Sequence, residues 1–425
     1  MLRAHLRSIF LLAVLVIAGC SPRVDAPQLG AYRAVLRLPG GDTPFGFEIA
    51  QEQQQYVLYL TNGTERTRVS NVQVADGELT AVFPGYENSL RAKLRRDELA
   101  GSVTLIKAGG KEQVIPFTAK IGETYRFYEK PSTDNADVAG TWEATLTNEH
   151  RETTKAILLL EQRYDRVTGS VMTPTGDHRF LEGQIHGDEL QLSTFAGGLA
   201  YLYKLKVVAN GGLEGDYWQG LASHEKVAAT RNDAATLAGA GKQTTMRDST
   251  QPLNFTFPDV DGRPVSLSDA RFRGKVVLVT LGGTWCPNCH DEARFLEPFY
   301  REYRDRGFEI VALMFERHGE FAQAASAVRG YRKDLGIEFP TLVAGLSETE
   351  EASKALPMLS GIYGFPTAIL VDRSGIVRSI HTGFAGPATG RHYQEYVTEF
   401  RDEVEHLLAG DARSLTNENR PGRSP

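Results

Sequence analysis

Two cysteines in the C-terminal half of the chain have the spacing of a redox-active dithiol. Cys286 and Cys289 follow a short apolar run, Val276 to Leu281, which predicts a buried strand that leads into a helix. At a helix N-terminus, free N–H groups and the helix dipole favour the Cys286 thiolate, and Cys289, one turn further along, is expected to be more buried. Such a pair can form a disulfide and reopen, with Cys286 attacking a partner's disulfide and Cys289 resolving the mixed disulfide.

Composition restricts the classes of protein that this chain can be. Its 425 residues are enough for two or three domains, and its formal charge of −6 is spread without a basic block that would indicate nucleic-acid binding. Only three cysteines occur, so at most one disulfide can form within the chain. A framework held together by several disulfides is therefore excluded.

The N-terminus predicts a lipoprotein signal peptide, residues 1–19. Basic residues precede a short apolar stretch, and the sequence Ile-Ala-Gly-Cys that ends at Cys20 resembles a bacterial lipobox. The resemblance implies cleavage before Cys20, lipidation of that cysteine and a tether over residues 20–29. The lipid anchor would hold the protein on the periplasmic side of the cell envelope, and Ser21 favours the outer membrane by the sorting rule of that family. An ordinary signal peptide with an incidental cysteine is the alternative.

Residues 30–230 have the pattern of β domains. Short strand-like runs recur at regular spacing between turn signals, as in sandwiches and barrels. Residues 30–36 align with residues 140–146, and this and similar matches predict two copies of one all-β unit, 30–128 and 138–230. Histidines are scattered without a metal-binding spacing, so no metal site is expected. We interpret the two units as spacers or binding modules.

A linker, an α/β domain and a tail are predicted after the β domains. Residues 231–251 are rich in Ala, Gly, Thr and Ser and predict a linker with little to pack. Residues 252–410 show the order β-α-β-α-β-β-α, and Pro298 is expected to kink the helix that follows the dithiol. A capping box at residues 347–350 is expected to open another helix. The final segment, 411–425, is expected to be disordered.

Several short motifs of the predicted α/β domain match one known family. They are Val265-Ser266-Leu267-Ser268-Asp269, Gly274-Lys275-Val276-Val277-Leu278-Val279, Trp285-Cys286-Pro287-Asn288-Cys289, Glu292, Gly364-Phe365-Pro366-Thr367 and Asp372-Arg373-Ser374-Gly375. In these residues the domain resembles the TlpA/ResA-like branch of the thioredoxin-fold thiol–disulfide oxidoreductases. The resemblance implies exchange between the dithiol and the thiols or disulfides of other proteins, without a cofactor. It also implies re-reduction by a membrane electron donor of the DsbD/CcdA type and a role in cytochrome c maturation.

The same resemblance implies roles for residues around the dithiol. Pro366 is implied to be a cis-proline that faces the cysteines and binds the partner's backbone. Glu292, three residues after the second cysteine, is implied to assist proton transfer at the resolving thiol. Trp285, Pro287 and Phe365 are implied to contact the substrate.

Two positions differ from the family pattern, and a third differs from thioredoxin itself. Thr280 stands where thioredoxin has a buried Asp, which makes Glu292 more important as a proton carrier. Glu292 could instead be an acid favoured only by the helix dipole. Arg294 replaces the usual Pro, and Asn288, where many relatives have Pro, is expected to alter the redox potential.

Three other functions compete with this interpretation. With His290, the motif also reads C-x-x-C-H, the attachment pattern of a c-type haem. The strand predicted before the motif and the motif around Pro366 favour a thioredoxin fold over a c-type haem protein. A peroxiredoxin would need Pro at position 279 and Thr at 283, where Val279 and Gly283 stand. The third alternative is a binding lipoprotein whose dithiol senses redox state without turnover.

Overall fold

The computed structural model describes residues 25–410. The predicted signal peptide, the lipidation site Cys20 and the predicted tail, 411–425, lie outside the described residues. Within the described part of the chain, no helix has the length and apolar character needed to cross a membrane.

The first β domain, called barrel 1, is one nine-stranded antiparallel sheet. Strands that are neighbours in sequence pair with each other, except the fourth and fifth, and the first strand pairs with the last. Alternating side chains point inwards, as the period of two predicted. The edge strands β4 and β5 are not paired with each other by backbone hydrogen bonds. The strands are β1 (Gly30–Leu38), β2 (Gly41–Glu52), β3 (Gln55–Asn62), β4 (Glu65–Val69), β5 (Asn71–Ala75), β6 (Glu78–Val82), β7 (Ser89–Leu94), β8 (Glu98–Lys107) and β9 (Lys111–Ile121).

The second β domain, called barrel 2, has nine strands in the same meander. It differs in closure, because β11 pairs with β12 and so all strands except the short β13 form a closed ring. The strands are β10 (Gly140–Asn148), β11 (Thr153–Arg163), β12 (Arg166–Thr173), β13 (Gly176–Asp177), β14 (Leu181–His186), β15 (Glu189–Phe195), β16 (Ala200–Val207), β17 (Leu213–Gln219) and β18 (Ser223–Arg231).

The two barrels share a core. The β15–β16 hairpin of barrel 2 enters barrel 1, where the Phe195 ring lies 5.1 Å from that of Phe45 and 5.3 Å from that of Phe83. Asn88 of barrel 1 donates a hydrogen bond from Nδ2 to the Gly197 carbonyl of this hairpin, at 2.8 Å. The hairpin therefore completes the hydrophobic core of its neighbour, so the two barrels form one packed unit.

The C-terminal domain is built on a five-stranded sheet with the order β23-β22-β21-β24-β25. The central strand β21 is buried throughout, and its alternate residues face two different clusters of the core. The elements are β19 (Thr256–Pro258), β20 (Pro264–Ser266), β21 (Val276–Gly282), α1 (Pro287–Tyr303), β22 (Phe308–Glu316), α2 (Phe321–Leu335), β23 (Thr341–Leu346), α3 (Thr349–Ala355), β24 (Thr367–Val371), β25 (Val377–Thr382) and α4 (Arg391–Leu408).

The predicted fold class is confirmed: an α/β thioredoxin-like C-terminal domain follows two all-β domains. The predicted element order was wrong in omitting β23, a short edge strand that pairs in parallel with β22 and carries Gly345. The predicted capping box was also wrong. The Ser347 N–H donates to the Glu316 carbonyl at 2.9 Å, directly after the end of β23. The N-cap residue of α3 is Glu348 instead, and its side chain makes no capping hydrogen bond.

The predicted linker packs more than its composition suggested. The Ser360 N–H donates to the Thr245 carbonyl at 2.8 Å, and the Arg247 N–H donates to Met358 at 2.9 Å. Thr244 is 3% exposed. The second half of the linker is therefore fastened to the C-terminal domain as an irregular extra strand, and the prediction that it has little to pack is wrong.

Candidate active site

The two cysteines form a disulfide at the N-terminus of α1, with their Cα atoms 5.2 Å apart. Cys286 is the N-cap residue, and its Sγ accepts a hydrogen bond from the Cys289 N–H at 3.2 Å. Pro287 occupies the first helical position, where a missing N–H does no harm. The free N–H groups of this first turn are therefore directed at the sulfur that would carry the thiolate.

The loop before β24 faces the disulfide. The Phe365–Pro366 peptide bond is cis, and the Phe365 carbonyl lies 3.7 Å from Cys286 Sγ. The Trp285 ring meets the Phe365 ring edge-on, with centroids 5.8 Å apart. Three of the residues implied to bind substrate thus surround one side of Cys286.

Glu292 lies on the other side of the dithiol, in the interior. Its Oε2 accepts a hydrogen bond from the Thr280 hydroxyl at 2.5 Å, while Oε1 is buried without a partner. A cavity of about 20 Å³, room for one water, is lined by both Glu292 and Cys289. Burial raises the pKa of Glu292 to about 7, although the Thr280 hydroxyl opposes part of the shift. A carboxyl group with this pKa can exchange a proton with a thiol near neutral pH.

Thr284, two residues before Cys286, is held by two buried titratable side chains. Glu316 accepts hydrogen bonds from the Thr284 N–H at 3.0 Å and from its hydroxyl at 2.6 Å. His290 Nε2 lies 2.7 Å from the Thr284 carbonyl and donates to it. Burial raises the pKa of Glu316 to about 7 and lowers the pKa of His290 well below its usual value. The backbone that leads into the dithiol is therefore fixed on both sides.

Comparisons with known proteins agree with this geometry. The Redoxin family model matches residues 247–393. Thiol-disulfide oxidoreductase ResA of Geobacillus thermodenitrificans is 30% identical over 135 residues, which cover 32% of this chain and 68% of that protein. The chain belongs to the ResA-like thiol–disulfide oxidoreductases.

Two further matches describe the extent of the likeness. ResA of Bacillus thuringiensis subsp. konkukian is 27% identical over 157 residues, which cover 37% of this chain and 80% of the ResA chain. A crystal structure of a thioredoxin-family thiol:disulfide interchange protein from Chlorobium tepidum covers 37% of this chain and 97% of its own, at 26% identity. Its TM-score of 0.29 is too low to add to the assignment. The likeness lies in the C-terminal domain, so the barrels are an addition to the ResA-like enzyme.

Barrel 2 contacts the dithiol motif of this ResA-like enzyme directly. Arg179 donates from Nη1 to the Pro287 carbonyl at 3.1 Å and to Asp291 at 2.5 Å, and from Nη2 to Glu65 of barrel 1. All these groups are buried. One guanidinium therefore joins both barrels to the first turn of α1.

A second contact from barrel 2 reaches the residue before Cys289. Asp177 accepts hydrogen bonds from Asn288 Nδ2 at 3.3 Å and from the Gly386 N–H at 2.6 Å. Burial, and then the nearby Asp291 carboxylate, raise the pKa of Asp177 to about 6. Asn288, whose identity differs from many relatives, is therefore fixed by a residue outside the thioredoxin domain.

Barrel 1 contacts the residues that flank the cysteines. The Tyr86 ring stacks on His290, with centroids 3.9 Å apart. The Ile106 carbonyl accepts a hydrogen bond from Arg317, and the Arg317 guanidinium lies 4.8 Å from the centre of the Trp285 ring. Barrel 1 therefore supports both ends of the motif, largely through aromatic faces.

These contacts change two expectations. Cys286 is 3% exposed and Cys289 is 4% exposed, so the prediction that Cys289 is the more buried was wrong. The interpretation of the barrels as spacers or binding modules omitted their contacts with the motif. Arg179 and Asp177 were missed because no local pattern marks them. Glu316 could have been found, since a carboxylate directly after the apolar run at residues 310–315 is unusual.

The geometry of His290 disfavours the haem alternative. Its ring lies against Tyr86 on one face and meets Tyr331 edge-on, with centroids 4.9 Å apart. Its side chain is fully buried and Nε2 is bound to a backbone carbonyl. Nε2 is therefore occupied, and Nδ1, which has no hydrogen-bond partner, is buried inside the protein away from solvent.

Proposed function

We propose that this ResA-like enzyme reduces disulfides of other proteins on the periplasmic side of a bacterial envelope, anchored by a lipid on Cys20. The observation that carries the proposal is the Cys286–Cys289 pair at a helix N-terminus, between the cis-Pro366 loop and the buried Glu292 carboxyl. The lipobox at Cys20 supports the anchor, and Ser21 favours the outer membrane.

The reaction consumes the reduced dithiol. The Cys286 thiolate attacks one sulfur of the substrate disulfide, and the other substrate sulfur leaves as a thiolate. Cys289 then loses its proton and attacks Cys286 Sγ, which forms the enzyme's disulfide and releases the second substrate sulfur. Two electrons and two protons pass to the substrate. A membrane donor of the DsbD/CcdA type would restore the dithiol by the reverse exchange, and cytochrome c maturation is one process that needs such reduced substrates.

Glu292 would accept the proton that Cys289 loses in the second step. Because its pKa is about 7, the carboxyl is protonated in acid and becomes a base as the pH rises through neutrality. The resolving step should therefore accelerate with pH through about 7 in the native enzyme. Glu292→Gln should slow that step by about 10²-fold and remove this pH dependence, in stopped-flow measurements of mixed-disulfide decay. An unchanged pH profile would exclude Glu292 as the base.

Insulin reduction tests the activity. The full chain should accelerate precipitation of insulin B chain with dithiothreitol as donor, and Cys286→Ser should abolish the acceleration. Cys20→Ala is the matched control, since it removes a cysteine outside the dithiol and should keep the activity while releasing the protein from the membrane fraction. A native chain without turnover would favour the redox-sensing alternative.

Titration of the dithiol against a dithiothreitol or glutathione buffer tests the direction. A redox potential near about −270 mV supports a reductase, and one near about −120 mV would show an oxidant.

A further inference from the structure

One turn of barrel 2 lies on the loop that carries the cis-proline. Residues 174–177, which end in β13, are called the covering turn. A Cβ atom added at Gly364 would lie 2.7 Å from Thr175 Cγ2, and one added at Gly383 would lie 2.7 Å from the Thr175 carbonyl carbon. These distances leave no room for a second chain. The covering turn therefore occupies the surface beside Pro366, where the backbone of a partner protein is implied to bind.

The β15–β16 hairpin of barrel 2 lies on the residue that follows Cys286. A Cβ atom added at Gly198 of this hairpin would lie 2.9 Å from Pro287 Cγ and 2.8 Å from Tyr86 Oη. Pro287 is buried, and Cys286 is 3% exposed. A mixed disulfide forms only when a sulfur of the partner reaches the sulfur of the reacting cysteine. A partner protein therefore cannot react with Cys286 while the barrels are in this position.

The barrels and the C-terminal domain have no common hydrophobic core. Each cluster of buried apolar side chains lies either within the barrels or within the C-terminal domain, and none between residues 25 and 410 joins the two. The contacts that cross this interface are mainly the buried ion pairs, hydrogen bonds and ring stacking described above. Interfaces of this polar kind allow domains to move relative to each other, whereas the core shared by the two barrels does not.

The covalent connection also allows the barrels to move away from the dithiol. In the described part of the chain, no hydrogen bond joins residues 233–243 to residues 252–410. The next residues are fastened to the C-terminal domain, beginning with the hydrogen bond between Thr245 and Ser360. Residues 233–243 can therefore serve as a hinge between two bodies that are each held together.

We propose that the barrels are a reversible cover of the dithiol, which must move away from α1 before Cys286 can react with another protein. The proposal rests on the proposed function and adds regulation of the same site. The rate of reaction with a protein would be limited by how often the cover opens. A partner that binds the uncovered surface shifts the population towards the open form, so it would react faster than a protein that only collides with the enzyme.

Three backbone N–H groups report whether the cover is closed, because their hydrogen bonds cross the interface. They are those of Gly85 to Asp334 at 2.8 Å, Gly110 to the Arg317 carbonyl at 3.1 Å and Gly386 to Asp177 at 2.6 Å. We call them the reporter amides. Opening of the cover should expose all three to hydrogen exchange together, while the amides of β21 stay protected.

The first experiment attaches a protein at Cys286 and tests whether the cover stays closed. The full chain with Cys20→Ala and Cys289→Ser cannot resolve a mixed disulfide, so it can be joined stably to a small globular protein that has one surface cysteine. The reporter amides should lose their protection in this adduct and keep it when Cys286 carries only a methylthio group. Protection that survives the attached protein would overturn the proposal, since partner and barrels would then fit side by side.

The second experiment inserts a methyl group at the interface through Gly198→Ala. Because the added atom crowds Pro287, the closed form should be weakened. In the reduced chain with Cys20→Ala, a maleimide that carries a polyethylene glycol chain should then alkylate Cys286 about tenfold faster or more. The rates are compared at a pH where the thiol is fully ionised, so that its pKa does not contribute.

The matched control is Gly212→Ala. Its added Cβ atom would be similarly crowded, with the nearest atom at 3.0 Å, but all its neighbours lie in barrel 2. This variant should be alkylated at the native rate. An unchanged rate in Gly198→Ala, or an equal increase in both variants, would contradict the cover.

Insulin reduction separates this proposal from the proposed function. A native chain that reduces insulin, although an attached protein leaves the reporter amides protected, would contradict the cover alone. A chain whose cover opens as expected but that never reduces insulin would contradict the proposed function alone.

Discussion

The two barrels share a meander of nine strands but contribute different chemistry to the dithiol. Barrel 2, closed by its β11–β12 pairing, supplies buried charge through Asp177 and Arg179. Barrel 1, with no ladder between β4 and β5, supplies mainly ring stacking through Tyr86 and a carbonyl for Arg317. The comparison shows that one architecture, used twice, can stabilise the same helix by two physically different means. Charge and stacking should respond differently to substitution and to pH.

The largest effect is expected at the charged contact. Arg179→Met leaves the carboxylates of Asp291 and Glu65 buried beside each other without their shared cation. The free energy of unfolding of the full chain should fall by about 3–5 kcal/mol, measured by urea denaturation.

The matched control for this variant is Arg37→Met, which breaks the exposed ion pair of Arg37 with Asp42 in barrel 1. That loss should stay below about 1 kcal/mol. Equal losses in the two variants would mean that the charges of barrel 2 do not hold the motif.

The second-largest effect is expected at Glu316, in the thioredoxin domain, and it is a change of stability with pH. The folded state raises the pKa of Glu316 from 4.5 to about 7, so it binds a proton that the unfolded chain has released. Stability from this group is fully present below about pH 4.5 and is lost as the pH rises through about 7, by up to about 3 kcal/mol. Glu316→Gln stays neutral, and it can replace both contacts with Thr284 because its amide oxygen can accept from the Thr284 N–H while its NH2 group donates to the Thr284 hydroxyl.

The stability difference between the native chain and Glu316→Gln should therefore shift in favour of the variant between pH 4.5 and 7. Thermal unfolding at several pH values measures it. A difference that does not vary with pH would show that Glu316 keeps an ordinary pKa.

The smallest effect is expected at the stacked contact of barrel 1. Tyr86→Leu keeps most of the apolar volume against His290 but loses the ring stacking, and should destabilise the chain by about 1–2 kcal/mol. Tyr164→Leu is its control, because Tyr164 is 94% exposed in barrel 2. A loss at Tyr86 as large as that at Arg179 would contradict the contrast between the barrels.

Much of this arrangement was accessible from sequence, because its signals are local. Alternation of apolar residues predicted the two β domains, and the apolar run before Cys286 predicted the buried strand that presents the dithiol. The family resemblance implied a cis-proline at Pro366 and a carboxyl group near Cys289, and both are present in the structure. Their catalytic roles stay predictions.

The contacts between domains were not accessible in the same way. Arg179 and Asp291 are more than a hundred residues apart, and each stands in a segment whose pattern has another explanation. Hydrophobic periodicity predicts which face of a helix or strand is buried, but not which other segment covers that face. The contact between a loop of barrel 2 and the N-terminus of α1 could therefore not be predicted from the sequence.

The Phe195 hairpin that enters barrel 1 has a geometric consequence for the lipid tether that we propose at Cys20. Barrels joined by a common core cannot swing about each other, and the segment after them is fastened to the thioredoxin domain by the Ser360–Thr245 hydrogen bond. The height of the dithiol above the lipid surface would then be set by the dimensions of two barrels. Donors and substrates would have to meet it at that distance.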